Sequence, residues 1–260
     1  MSDFQNKFIE ASAEQGVGVI RLNRSNARNA LNLAVLRELV AVLEQHENDP
    51  GVRVIVLTGG EGNFSSGADI DMLGTHTAAS YSVSEIRSHY ETIRAAKKPM
   101  VAAVSGFCLG GGCEIALSCD YVIASDSAVF AQPEIKLGII PGAGGTQLWA
   151  LRSGATEQVS AALEGKTVTA FDARRMRLIN QVVPKAALMQ AALSFAQTLA
   201  QRAPLALCAA KAATRARWRM SLDAALDHEV LLMSNLLASV DAHEGIAAFL
   251  DKRPAQFRGA

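Results

Sequence analysis

The chain predicts an α/β fold with largely parallel strands, followed by a helical carboxyl-terminal region. Three observations carry this reading. Short β-branched runs stopped by glycine recur at residues 52–59 (VRVIVLTG) and 99–106 (PMVAAVSG), and more weakly at 120–126 and 128–138. Helical segments intervene at about 82–96, 112–119 and 144–151, the alternation expected of parallel strands joined by crossovers. After about Pro184 strand-like runs vanish and Ala/Leu-rich helical stretches take over.

Taken in order, residues 7–12 and 17–22 alternate in polarity around Glu14 to Gly16 and read as a β-hairpin. From 31 to 47, Leu36, Leu39, Val40 and Leu43 keep helical spacing, and Asp49-Pro50 closes the helix. The strand and helix runs named above follow. Further helices are expected at 186–202, 204–217, 222–239 and 243–251. Leu222, Leu226, Val230, Met233, Leu236, Leu237 and Val240 form an apolar face broader than one neighbour in a small layer covers. That face either packs on the preceding domain or meets another subunit. The expected division is a domain of residues 1–190 and a helical region of 191–260.

Half of the 260 residues are apolar, enough for one sizeable core. With 25 basic and 25 acidic side chains the formal charge is zero, so no global field recruits nucleic acid or an anionic membrane. Neither is expected as a partner. Cys108, Cys113, Cys119 and Cys208 lack a CxxC spacing, and the histidines at 46, 76, 89, 228 and 243 are scattered, so no metal is expected. The opening MSDFQNKFIEASAEQ shows neither a secretory nor an Arg-rich leader pattern, and the apolar runs fall short of the roughly 18 residues of a membrane span. A cytoplasmic location is the expectation.

Candidate chemistry gathers at glycine-rich junctions after strands. In GFCLGGGCEIAL (106–117), three glycines precede Cys113 and Glu114 at the start of a helix, where free amides point outward and prefer negative charge. The glycines alone fit a tight turn equally well. NFSSGADIDM (63–72) places Gly67 before Ala68 and Asp69, the latter suited to the N-cap or first turn of a short helix. Two such junctions after two parallel strands could each aim one amide at a single oxygen. AQPEIKLGIIPGAGGTQ (131–147) carries Glu134 and a glycine-rich junction at 142–145 that lacks the spacing of a dinucleotide fingerprint. Glu114 and Glu134 both lie among apolar neighbours; such a glutamate either meets a cap or ion pair, or is buried and raised in pKa for proton transfer.

These segments, together with NRSNARNALN (23–32) and EGIAAFLDKRPAQF (244–257), resemble the crotonase (enoyl-CoA hydratase/isomerase) superfamily along nearly the whole chain. The resemblance implies a spiral of ββα units with a C-terminal helical oligomerisation region, assembled as a homotrimer or homohexamer. It implies oxyanion-hole amides at Ala68 and Gly111, and a catalytic pair in which Glu114 helps activate water and Glu134 delivers a proton to Cα. The substrate would be an acyl-CoA thioester. Coenzyme A contacts would fall at Ala27, Ser66, Asp69, Ile70 and Gly142, with Lys252 reaching coenzyme A phosphates from a neighbouring subunit. No separate cofactor is implied, since coenzyme A is part of the substrate. The implied reaction is reversible hydration of a trans-2-enoyl-CoA; a Δ3-Δ2 isomerase using Glu134 alone is the runner-up, and a non-catalytic or RNA-binding member is disfavoured by zero charge and by both glutamates.

Two features stay open. Leu148-Trp149 replaces the Arg-Leu that commonly follows GGTQ in this family, and Trp149 either shapes an acyl pocket or packs in the core. The stretch 76–98, which borders the acyl pocket in this family, contains Tyr81, His89 and Tyr90 but no pattern convertible to a chain length.

Overall fold

The computed structural model describes residues 7–74, 77–82 and 84–260, so His76 and the first residues of the opening stretch lie outside the described residues. Among the described residues nine strands form two sheets. Strands β1 (Ile9–Glu14) and β2 (Val17–Leu22) make the expected hairpin, its turn formed by Gln15 and Gly16 at positive φ. Next come β3 (Val54–Thr58), β4 (Met100–Val104), β5 (Phe107–Leu109), β6 (Tyr121–Ser125), β7 (Val129–Ala131), β8 (Val168–Thr169) and β9 (Gln181–Val183). The larger sheet runs β1-β2-β3-β4-β6-β9, parallel from β2 onward; the smaller runs β5-β7-β8. From β4 to β7 successive strands alternate between the two sheets, and β9 returns the chain to the larger one after β7 and β8.

Period-two alternation sorts the central strands into two cores. Ile55, Leu57, Met100, Ala102, Val104, Val122 and Ala124 join the larger cluster, with Leu36, Leu39 and Leu43 of the helix Leu33–Asn48. Asn32 caps that helix by accepting a bond from the Val35 amide at 3.0 Å. The opposite face, Val54, Val56, Val101, Ala103 and Ile123, packs on Leu188, Ala192, Ala196 and Ala200. Those four residues recur every fourth position along the helix Leu188–Ala200, so one stripe, three of its four members alanines, lies against the sheet. Burial on both faces is why these strands read as continuous apolar runs. The expected division at residue 190 falls inside this helix.

One expected element is shorter than its sequence pattern suggested. The run 128–138 was expected as a strand, but only Val129–Ala131 is extended; Pro133 then opens a 3-10 turn, Pro133–Leu137. Proline has no amide to give a ladder and its fixed φ suits the first turn of a helix. The turn lifts Glu134 out of the sheet and into the site described below.

The last three helices, Pro204–Ala216, Leu222–Leu237 and Val240–Leu250, follow the expected pattern. Leu226, Val230, Met233 and Leu237 are exposed on this chain, as are Phe249 and Leu250. Among the described residues no helix is long and apolar enough to cross a membrane.

Trp149 is fully buried in the larger core and does not line the cavity described below. Its role is packing. Trp149→Ala is expected to destabilise the protein by about 3–5 kcal/mol, as loss of a large buried aromatic does; a denaturant titration that shows under about 1 kcal/mol would contradict this placement.

Candidate active site

Two loops converge at the carboxyl ends of β3 and β4. The segment after β3 is drawn alongside β5, since the Ser65 amide donates to Phe107 O at 2.8 Å and the Leu109 amide to Ser65 O at 3.0 Å. Leu31 clamps the next turn: its amide donates to Gly67 O at 2.8 Å and its carbonyl accepts from Asp69 N at 2.9 Å. Gly67 has φ +98°, and a Cβ there would lie 2.8 Å from Leu109 O. Only glycine lets these backbones approach so closely.

The second junction is the start of the helix Gly111–Ser118. Gly110 has φ +48° and ψ −125° as its N-cap, and a Cβ there would lie 2.8 Å from Glu134 Oε1. A Cβ on Gly111 would lie 3.6 Å from the Ala68 nitrogen, so the two junctions meet. Neither the Ala68 nor the Gly111 amide has an acceptor among the described residues. Every residue of this helix is buried, Glu114 included.

Glu114 Oε1 accepts from the amides of Ala143 and Gly145, both at 2.7 Å. The glycine-rich junction at 142–145 therefore cradles an anion belonging to the protein itself. Arg94 reinforces the cradle by donating to Ala143 O. Burial pushes the Glu114 carboxyl above the ordinary range, while the Gly145 and Ala143 amides and the Arg94 charge oppose that rise. Glu134 has weaker support: among the described residues its Oε2 is buried without a partner. Burial, with a smaller push from the Glu114 charge, raises its pKa to about 7 against the opposing pull of its own backbone amide.

Both carboxyls open on one cavity of about 1060 Å³, whose lining also includes Ala68, Gly111, Ser66, Ile70 and Gly142. Of the remaining candidate residues, Ala27 and Asp69 sit just behind this wall. Ala27 O accepts from Ser66 Oγ at 3.5 Å, and Asp69 Oδ2 pairs with Arg24 Nη1 at 2.7 Å. The Asp69 side chain thus faces Arg24, while its carbonyl starts the helix Ile70–Gly74 by accepting from Leu73 N at 3.1 Å. Lys252 is exposed in the turn after the last helix and does not line the cavity.

Pattern reading missed the residues that brace the site. Asn29, buried and at positive φ, donates through Nδ2 to Gly59 O at 3.1 Å and to Asn63 O at 2.7 Å. Ser65 Oγ donates to Asn29 O at 2.7 Å and accepts from Gly67 N at 3.1 Å. A buried Asn at φ > 0 is a visible signal only after the loop path is known.

The family pattern described as "Enoyl-CoA hydratase/isomerase" matches residues 12–260. The chain belongs to the enoyl-CoA hydratase/isomerase family. Its curated relatives in the family include the 2,3-dehydroadipyl-CoA hydratase of Escherichia coli (strain K12), 41% identical, covering 95% of this chain and 97% of that one. The mitochondrial enoyl-CoA hydratase of Pongo abelii is 38% identical, covering 93% of this chain and 83% of that one. Among solved structures of the family, an enoyl-CoA hydratase from Bacillus anthracis superposes with a TM-score of 0.92 at 33% identity, covering 98% of this chain and all of that one (100%). The crotonase fold of this family, mixed α/β with a helical carboxyl-terminal region, is thus shared by the chain.

Proposed function

We infer that the protein catalyses the reversible addition of water to a trans-2-enoyl-CoA, giving a 3-hydroxyacyl-CoA. The observation that carries this reading is a pair of carboxyls in unlike surroundings that face one cavity beside two neighbouring amides with no acceptor among the described residues. The Ala68 and Gly111 amides hold the thioester oxygen as it gains enolate charge, and being fixed beforehand they need no reorganisation. Glu134, protonated below about pH 7, delivers its proton to Cα. Glu114, its charge favoured by two amides, accepts the proton of the water that attacks Cβ. One proton leaves Glu134 and one enters Glu114, so the pair's total is unchanged, and passage of a proton from Glu114 back to Glu134, directly or through solvent, resets it for the next turnover.

Ser66, Ile70 and Gly142 border the path of the coenzyme A thioester, with Ala27 and Asp69 behind them, and no separate cofactor takes part in the scheme. The exposed apolar residues of the last two helices fit a subunit interface in a homotrimer or homohexamer. In such an assembly Lys252 would meet coenzyme A phosphates bound to a neighbour. Loss of the conjugated enoyl absorbance of crotonyl-CoA is the direct test, extended to enoyl-CoAs of other lengths, branching and terminal charge. Turnover of at least one trans-2-enoyl-CoA is expected, and none across that panel would overturn the reading.

A further inference from the structure

The helix Glu85–Ala95 buries Ile86, Tyr90 and Ile93 along one face. Tyr90 is the polar member of that stripe, only 4% exposed. A buried tyrosine ordinarily finds a partner for its hydroxyl. Among the described residues none hydrogen-bonds to Tyr90 Oη, and the side chain lines the cavity, so the hydroxyl opens on that space rather than being sealed in the core. The hydroxyl sits where the two junctions meet: a Cβ on Gly111 would collide with Tyr90 Oη, and the same Cβ position lies 3.6 Å from the Ala68 nitrogen.

We propose that the Tyr90 hydroxyl is a catalytic hydrogen-bond donor to the thioester oxygen, a third donor beside the Ala68 and Gly111 amides. This rests on the hydration reading. The phenol keeps its proton throughout; no bond to Oη forms or breaks, and the hydrogen bond strengthens as the thioester oxygen gains charge. Burial, then the charges of Glu114, Tyr81 and Glu134, hold the phenol neutral against the weaker opposing pull of Arg94. A neutral hydroxyl in that setting is a donor. No hydrogen bond joins the Tyr90 and Glu114 side chains, and Glu114 Oε1 is held instead by the Ala143 and Gly145 amides.

The test compares wild type and Tyr90→Phe, which keeps the ring and its packing. Cinnamoyl-CoA bound to the enzyme reports polarisation of the thioester carbonyl as a red shift in absorbance. Crotonyl-CoA turnover reports catalysis, and butyryl-CoA affinity reports binding alone. The wild type is expected to show the red shift; Tyr90→Phe should lose part of it and lose about 10- to 100-fold in kcat, less than the 10² to 10³ typical of a principal donor. Butyryl-CoA affinity and thermal midpoint should stay close to wild type. A full red shift in Tyr90→Phe, with or without a fall in kcat, would overturn the proposal and leave Tyr90 a packing residue. A wild type with neither shift nor turnover would instead overturn the hydration reading beneath it.

Discussion

Glu114→Gln is expected to lower hydration by about 10²- to 10⁴-fold, the usual contribution of a positioned proton acceptor. The fold should survive the change. Glutamine keeps a carbonyl oxygen where Glu114 Oε1 now accepts from Ala143 and Gly145, so the cradle stays filled and the helix Gly111–Ser118 stays in register. What disappears is the basic electron pair that takes the proton of water. Isomerisation of a 3-enoyl-CoA to a 2-enoyl-CoA needs one proton shuttled between two carbons, a task Glu134 can perform alone. The ratio of hydration to isomerisation should therefore collapse in Glu114→Gln. Retention of near wild-type hydration would remove Glu114 from the mechanism.

In the proposed scheme Glu134 sets the pH dependence. Its raised pKa of about 7 means that above neutrality the pair loses the proton it must deliver, so kcat/KM should fall about tenfold per pH unit. Hydration neither consumes nor releases a proton from solution, so its equilibrium is independent of pH in this range. The falling limb must then appear in both directions, and a kcat/KM profile that stays flat from about pH 6 to 9 would contradict the shared-proton scheme. Glu134→Gln should lower activity by about 10²- to 10⁴-fold and leave no limb near pH 7.

The same group bears on stability, with a definite sign. A carboxyl raised in the folded state binds more protons there than in the unfolded chain between the ordinary carboxyl pKa of 4.5 and about 7. Stability contributed by the neutral form is thus complete below that window and is lost as pH rises through it. Glutamine cannot ionise, so Glu134→Gln should melt higher than wild type at pH 8 and show no such advantage at pH 4. An unchanged difference in thermal midpoint between those two pH values would mean that Glu134 is not raised.

Much of the architecture is legible in the chain itself, for reasons visible in particular elements. β3 and β4 are buried on both faces, so VIVLT and MVAAV stand out as apolar runs closed by Gly59 and, two residues past Val104, by Gly106. The helix Leu33–Asn48 declares itself by spacing, and its end by Asp49-Pro50. Glu114 and Glu134 were conspicuous as carboxylates in apolar company. What local pattern could not supply is who holds whom. The amides that fix Glu114 lie 29 and 31 residues downstream, and the bonds between Asn29 and its loop cross 30 and 34 residues. No periodicity carries such pairings. Trp149 was ambiguous for a related reason, since an apolar side chain reads alike whether it faces a core or a ligand. Tyr90 shares its helix face with Ile86 and Ile93, and only the position of its hydroxyl sets it apart.

The site also has unequal exposure to mutation. At position 68 every replacement except proline keeps a main-chain N–H, so the genetic code offers few ways to erase the oxygen contact proposed for it. Position 111 is guarded differently, because any side chain there strikes Tyr90 and one of the two must shift. Glu114 and Glu134 have no such insurance, and a single codon change can remove either carboxylate. Descendants of this sequence would therefore keep the grip on a thioester while losing or relocating the proton chemistry, and new reactions would arise by rewriting two positions on an inherited oxygen-binding frame.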